Sequence, residues 1–584
     1  MGKSLDRGEF WDLFKDRMVV LADVAPGRSR ELAQEANEAG RQDASLRTRA
    51  EFAALFDLLN GEALSEPGHA QLTLVDEAGH PTPAGQAIQD YLAAAHGKED
   101  FFDQSMYMVH VTGWPEDRLQ PEQPVQSSGE AQLAAWKTDP ADGRHIAPPG
   151  EGGMLFASPT FSLMNSGNRT LRAPRRSWKV NFQIADGADR LAGMERINLK
   201  SMFNDASQMR ESIAWRLFEK AGVPASRHTY AKLGINATYI GLFSLVEQVD
   251  RRFLRDHFGK NDRGNLYKVY CGDIGCGTLE HRIGEGGDDS GRQYFRTGSE
   301  DQTYRLKSND ASAATYDDLA ALVRAINGVG LPGGDRRFES DAFRDSVEAL
   351  LNVRCILRWA GANLLLGSWD NYFATPANYY LYNSGLKKAA KQFVDSPYFT
   401  LVPWDYDNCL GIDYFQTEWQ YTDLLDWPSA TEKYCKQVRY PGRVSPTPLV
   451  QNLLRQEAFR QYYLDHLEHL LDTEFNPDSM ATLVGPEGGP GLWDRVSHAA
   501  YLESHAPHEQ PFTGRQFTND EVYLGGFKQQ TLHHGEAQIE GILDFVRMRH
   551  DSARRQLAGL RRTDPAGASG AGFPGVMESL PARE

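Results

Sequence analysis

The sequence predicts an α+β chain built as two lobes behind an added helical N-terminal region. Three observations predict it. Apolar residues recur with period two through residues 105 to about 270, around one clear amphipathic helix. From 304 to about 560 the period is helical, broken by a single strand hairpin. The 584 residues also exceed what one ordinary core accommodates.

The elements follow in chain order. RELAQEANEAG and RTRAEFAALFDLLNG place apolar residues three and four apart and each stops at a glycine; TPAGQAIQDYLAAAHG repeats the pattern. Residues 1–104 therefore read as a helical accessory region. SMYMVHVTGW is strand-like, and 115–153, rich in Pro, Gly, Gln and Asp, reads as a long loop. MLFASPTFSLMN and RRSWKVNFQI are strand-like; in the latter Trp178, Val180, Phe182 and Ile184 alternate with polar residues. MRESIAWRLFEKAG is the amphipathic helix, closed by Gly222 and Pro224. TYAKLGINATYIGLFSLVEQVD reads as two strands joined at a turn, RRFLRDHFG as a short helix, and 271–303 as a loop. TYDDLAALVRAING and FRDSVEALLNVRCILRWAGANLLLG read as helices, the second long and central to its lobe; NYYLYN and YFTLVPW form the hairpin. The remainder is mainly helical to about 560, and 561–584 has the composition of a disordered tail.

Composition narrows the function. Against 62 Lys and Arg stand 79 Asp and Glu, a net charge of −17 that would repel a nucleic-acid backbone. No run approaches the ~20 apolar residues of a membrane helix. MGKSLDRGEFWDLFKDRM has no apolar core of a secretory signal and misses the myristoylation pattern, so a cytoplasmic location is expected, with surface or coat association the alternative. Five scattered cysteines fit a reducing compartment. Cys271 and Cys276, in CGDIGC, lack the second pair a zinc knuckle needs.

Chemistry gathers around VPWDYDNCLG. Asp405 and Asp407 stand two apart at a strand end, which fits either a metal site or a polar strand end with a turn. Other residues form an order. NSGNRT, with Gly167 and Asn168, is a small flexible stretch before a strand; Lys179 lies in that strand; Glu211 opens the next helix; SWDNYFATPANYYLY supplies Asp370 and Asn378. Transfer of a phosphoryl group from ATP needs such parts: a loop over the phosphates, a strand lysine, a helix acid that holds it, a catalytic acid, and oxygen ligands for Mg²⁺. Each part has an ordinary reading alone. Lys179 could be a solvated strand lysine, Glu211 a surface helix charge, Asp370 a turn cap and NSGNRT a plain loop.

RRSWKVNFQ, the stretch from INLKSMFNDASQMRESIAW to VEQVDRRFLRDHFG, then GNLYK, NYYLYN and VPWDYDNCLG together resemble the spore-coat protein H (CotH) family of atypical protein kinases. The likeness spans about 105 to 550 and is closest over 165–411. It implies a divergent two-lobed protein-kinase-like fold and transfer of the ATP γ-phosphoryl, with Mg²⁺ or Mn²⁺, to serine or other hydroxyl side chains of a protein partner. By the same resemblance Lys179 is the nucleotide lysine, Asp370 the catalytic aspartate, and Asp405 and Asn378 metal ligands. Asp407 is a second ligand or a turn acid. Glu247 and Gln248 sit where a nucleotide-facing connection would lie, and Glu211 partners the lysine with Glu195 as competitor. MNSGNRTLRAP departs from the family's phosphate loop, its glycine standing before the asparagine. Two other classes remain: a structural, coat or adhesion protein that kept the fold, and a transferase moving a nucleotidyl group or acting on a small molecule.

Overall fold

The computed structural model describes residues 102, 106–115, 124–127, 131–139, 155–167, 176–182, 190–270, 277–283, 303–309, 315–385, 397–414, 416–425, 447–485, 491–504, 527–532 and 535–563. The expected N-terminal helices and C-terminal tail lie outside these residues, as do Asn168, Cys271 and Cys276. The chain falls into two compact units. One comprises Met1–Asp103, Arg190–Met194 and Pro581–Glu584; within it Leu191 and Met194 form a short bridge. The other, Gln104–Asp189 with Glu195–Leu580, holds every element named below.

Its first part runs β1 (Met106–Thr112), β2 (Val125–Gln126), β3 (Gln132–Thr138), β4 (Phe156–Ser158), β5 (Ser162–Ser166), β6 (Ser177–Asn181), β7 (Arg196–Lys200), α1 (Arg210–Lys220), β8 (His228–Ile235) and β9 (Thr238–Glu247). Among the described residues these strands form a nine-stranded sheet, order β2-β5-β6-β7-β9-β8-β1-β3-β4. Pairing is antiparallel except between β1 and β8. Three strands of this part were not expected from sequence: β3, β7 and the two-residue β2. β3, like β2, lies inside the stretch read as a loop, because Leu133 and Ala135 supply one buried face and Trp136 is buried on the other despite the turn-rich flanks. β7, in RINLK, carries fully buried Ile197 and Leu199, but five residues are too few for a visible period.

The second part continues with α2 (Arg251–Phe258), β10 (Asn265–Val269), β11 (Tyr304–Leu306), α3 (Asp317–Ile326), α4 (Asp341–Glu348), α5 (Val353–Leu366), β12 (Tyr379–Asn383) and β13 (Phe399–Pro403). β10 to β13 make an antiparallel sheet in the order β11-β10-β12-β13. The single long helix expected over 343–367 is two, α4 and α5. The first ends at Glu348 with Ala349 as its C-cap, and Asn352 caps the second, its side chain accepting from the Cys355 N–H. β14 (Ile412–Asp413), α6 (Pro448–Leu453), α7 (Glu457–Asp472), α8 (Pro477–Val484), α9 (Leu492–Ser504), β15 (Phe527–Leu532), β16 (Gly535–Glu540) and α10 (Ile542–Thr563) complete the unit. β14, β16 and β15 form a small antiparallel sheet within the region expected to be helical.

α5 is the axis of this part. Trp359, Ala360, Ala362, Leu365 and Leu366 are buried on several sides at once, as a helix apolar all round must be. α1 and α5 contribute to one continuous core, together with Tyr372, Tyr379, Leu381 and Tyr406. The loop after α5 and the β12–β13 hairpin are thereby set against the start of α1.

Candidate active site

The site is built around Tyr406. This ring is fully buried, 4.6 Å from the Phe218 ring and 5.6 Å from Trp215 of α1, and its hydroxyl accepts from Trp359 Nε1 at 2.9 Å. With Tyr406 anchored inward, its neighbours Asp405 and Asp407 share the opposite side, and the spacing of two in WDYD acquires a cause. Asp405 takes a left-handed φ of +66° and Asn378 one of +54°. The two flank the open end of the β12–β13 hairpin, where Trp404 N donates to the Asn378 carbonyl at 3.2 Å. Two non-glycine residues held left-handed at one turn cost of the order of 1–3 kcal/mol each, the kind of strain that clusters at functional sites.

Lys200, at the end of β7, joins this turn to α1. Its ammonium donates to Glu211 Oε1 and lies 2.5 Å from Asp405 Oδ1. Glu211 is 1% exposed; it also accepts from Ser244 Oγ at 3.0 Å and from the Tyr406 N–H at 3.4 Å. Burial works against the Lys200 charge, but Asp405, Glu211 and Asp407 outweigh it and hold the ammonium above the usual lysine range. Burial likewise opposes ionisation of Asp405, and Lys200, by charge and hydrogen bond, overcomes it and keeps that carboxyl low. Asp407 goes the other way. Burial, then the charges of Asp405, Glu211 and Asp370 against Lys200, push its carboxyl well up.

Asp370 reaches the same place from the loop after α5. Gly367, at φ +57°, closes the helix, and Asn371 Nδ2 ties the loop by donating to Asn363 Oδ1 at 3.0 Å and to the Ser368 carbonyl at 2.9 Å. Asp370 Oδ1 accepts from Thr375 Oγ1 at 2.6 Å and Oδ2 from Asn408 Nδ2 at 3.2 Å. Asn378 Nδ2 donates to the Asp370 carbonyl at 2.8 Å. Asn204 Nδ2 in turn donates to Asn408 Oδ1 at 2.9 Å, so a chain of amides runs from the segment after β7 to Asp370.

The structure thus brings Asp370, Asn378, Asp405, Asp407 and Glu211 together, and corrects two expectations. The lysine that holds Glu211 is Lys200, not Lys179. Lys179 lies one strand away on β6, opposite Asn198 and so on the same sheet face as Lys200. Its strand shows a period of two in the sequence, whereas the five residues of RINLK are too few to show one. Nor does the Glu247 side chain stand open to a nucleotide: it is 1% exposed, and Arg227 donates to both its oxygens at 3.0 and 3.1 Å. Gln248 follows it half-buried, its Oε1 buried without a partner. Gly167 ends β5 with φ +113°. Lys200, Asn204 and Asn408 escaped the sequence reading. The signal available for Lys200 was a strand lysine directly before the helix that carries Glu211.

Among the described residues no three His, Cys, Asp or Glu side chains form a ready metal cage. The donor set nevertheless fits a hard cation that keeps open positions. Asp405 has 37% of its side chain exposed, Asp407 lies beside it, and the Asn378 amide oxygen is left over once Nδ2 serves Asp370. Mg²⁺ needs only one or two carboxylates when phosphate oxygens and water supply the rest.

The segment that carries this arrangement is the segment that matches a known family: residues 164–485 fit the family model described as CotH kinase protein. The chain belongs to the CotH kinase protein family. Two relatives from Rhizopus delemar, named Invasin CotH2 and Invasin CotH3, are each 21% identical to it over 54% of this chain and 47% of their own length. The chain therefore spans about half the length of the curated relatives it matches. The CotH-matched segment begins in β5 and ends just after α8, so it contains Lys179, Lys200, Glu211, Asp370, Asn378, Asp405 and Asp407. Among the described residues no helix is long and apolar enough to cross a membrane.

Proposed function

We propose that this CotH-family chain is a Mg²⁺-dependent phosphotransferase that moves the γ-phosphoryl of ATP to serine or other hydroxyl side chains of a protein partner. In this reading the nine-stranded sheet with α1 is one lobe and the helical part around α5 the other. The reading rests on one observation above all: Lys200 is shared between the buried Glu211 and Asp405, with Asp370 on the adjoining loop.

The roles follow from the geometry. Glu211 fixes Lys200 as a charged, oriented donor for phosphate oxygens. Asp405, Asp407 and the Asn378 amide oxygen would hold Mg²⁺, which when bound neutralises charge on the phosphates. Asp370, aimed by Thr375 and Asn408, accepts the proton of the acceptor hydroxyl. The acceptor oxygen forms its bond to the γ-phosphorus, the bond from that phosphorus to the β–γ bridging oxygen breaks, and ADP leaves with the electron pair. Gly167 and Gln248 remain candidates for the nucleotide's surroundings.

A second reading, binding without transfer, draws support from the relatives' name of invasin. Labelling separates the readings. Wild type incubated with Mg²⁺ and γ-labelled ATP should label itself or a Ser-rich protein, and Asp405→Ala should not. Equal label in both sinks the mechanism. Label from the α-phosphate assigns the chain to nucleotidyl transfer, and no label from either to the binding reading.

A further inference from the structure

Next to the Lys200 centre lies a second group of charges that the proposed roles leave unused. Lys268 of β10 stands opposite Arg305 of β11, so the two share one face of the four-stranded sheet. With Lys307 they surround a single ring: Lys268 Nζ is 5.2 Å, the Arg305 guanidinium 4.1 Å and Lys307 Nζ 6.0 Å from the centre of Tyr270. Lys268 Nζ also lies 5.4 Å from the centre of the Trp404 ring, and Lys200 Nζ 5.9 Å from the same ring. The cationic group is thus continuous with the candidate active site, Trp404 lying between. Lys179, on the other sheet, acts on Lys268 and Lys307 through its charge.

Three cations around one ring need an explanation in a chain with a net charge of −17. Aromatic faces compensate a cation only in part. Among the described residues no carboxylate stands at ion-pair distance from Lys179, Lys268, Arg305 or Lys307; Asp405 acts on Lys268 through its charge but is held by Lys200, and Arg305 Nε is buried without a hydrogen-bond partner. Arg227 and Arg210, elsewhere in the same unit, each meet an acid directly, at 3.0 and 2.6 Å. With Asp405 shared between Lys200 and Lys268, Arg305 and Lys307 have no acid of their own, and an anion with several charges entering from solvent would complete the set.

We propose that Lys268, Arg305 and Lys307, faced by Lys179, form a phosphate-chain subsite that grips the polyphosphate of the nucleotide donor beside the Lys200 centre. This rests on the phosphotransferase reading for its occupant, but not for its chemistry. The alternative occupant, an acidic or phosphorylated acceptor segment, is less favoured because the cluster adjoins Trp404 and Lys200 rather than the Asp370 loop.

The test is calorimetric binding of inorganic tripolyphosphate to the full chain in EDTA, so that no cation bridges the ligand to Asp405. Wild type should bind, and Lys268→Met and Arg305→Met should each weaken binding at least tenfold. Arg305→Lys should recover most of it, and Lys307→Gln, at a partly exposed site, should weaken it with an unchanged melting temperature. Unchanged binding in Lys268→Met, Arg305→Met and Lys307→Gln, or no binding by wild type, overturns the subsite. So does an unchanged affinity for ATP with a raised KM for the protein acceptor. Tripolyphosphate binding that follows this pattern in a protein with no γ-transfer would leave the subsite standing and remove the phosphotransferase reading instead.

Discussion

Lys200→Met and Lys179→Met separate the lysine the structure selects from the one the sequence first offers. Met keeps the length and apolar stem of lysine and deletes the charge. At position 200 the deletion leaves Glu211, 1% exposed, with only the Ser244 hydroxyl and the Tyr406 N–H as partners. Breaking a buried ion pair from one side costs about 3–5 kcal/mol, because the surviving charge stays buried and uncompensated. Asp405 loses the same ammonium but keeps 37% of its side chain exposed, so solvent screens it and it adds little. At position 179 there is no ion pair to break; burial first, then Lys268, Arg196 and Lys307, disfavour the charge, so its loss should not destabilise the fold. The assay is urea unfolding followed by tryptophan emission, with γ-phosphate transfer measured on the same samples in the folded baseline. Lys200→Met should unfold at clearly lower urea and lose transfer. Lys179→Met should unfold at the same or higher urea and show an effect on function only through nucleotide affinity. Glu211→Leu combined with Lys200→Met should recover part of the stability and none of the activity. A Lys200→Met protein within 1 kcal/mol of wild type would refute the assignment of the buried pair.

Gly411→Ala should destabilise the chain by about 1–3 kcal/mol and lower transfer, because Gly411 has φ +95° and an added Cβ would meet the Glu540 Cβ at 2.8 Å and its carbonyl oxygen at 3.0 Å; thermal melting and the labelling assay check it. Glu540 is buried with neither carboxylate oxygen hydrogen-bonded, and burial, then Asp544, push its pKa from 4.5 to about 8. The folded state therefore holds a proton that the unfolded state has released between these values, and the contribution of protonated Glu540 is full below pH 4.5 and lost by about pH 8. Melting of Glu540→Gln should accordingly show a flatter decline than wild type across that window and a higher melting temperature at pH 8.5; parallel curves would show that Glu540 is not the group responsible.

How far the site could be read from sequence depends on which residues announce themselves by pattern. Asp370, Asn378 and Asp405 stood out because acids and amides bracket an apolar hairpin, a contrast that local composition displays. The amphipathic helix displayed Glu211 in the same way. Lys200 did not stand out, because RINLK is too short to show a period and is a strand only through its pairing with β6 and β9. The split of α4 from α5 was hidden for a related reason: the stretch between them has no helix breaker, and the start of α5 is set by the Asn352 side chain. Asn204 and Asn408 meet across 204 positions of sequence, and Lys268 meets Trp404 only through the sheet. Periodicity carries no information about such pairs.

The adjacent residues Arg210 and Glu211 show how the local and the long-range parts combine. Both open α1, and on a helix neighbours in sequence project about 100° apart. Glu211 turns toward Lys200 and the Tyr406 N–H. Arg210 turns away: its guanidinium donates to Asp205 Oδ1 at 2.6 Å, to the Leu410 carbonyl at 3.1 Å and to the Glu540 carbonyl at 3.0 Å. One helix turn thereby grips the Asp405–Gly411 loop on both sides, the acid at its start and the base at its end. A carboxylate that had to be held left-handed at φ +66° by its own turn alone would relax. Here Tyr406 fills the core, Arg210 fixes the exit, and Glu211 fixes the lysine that faces Asp405. The Met-Arg-Glu sequence and the Trp-Asp-Tyr-Asp sequence are two halves of one device, and neither half explains its own residues without the other.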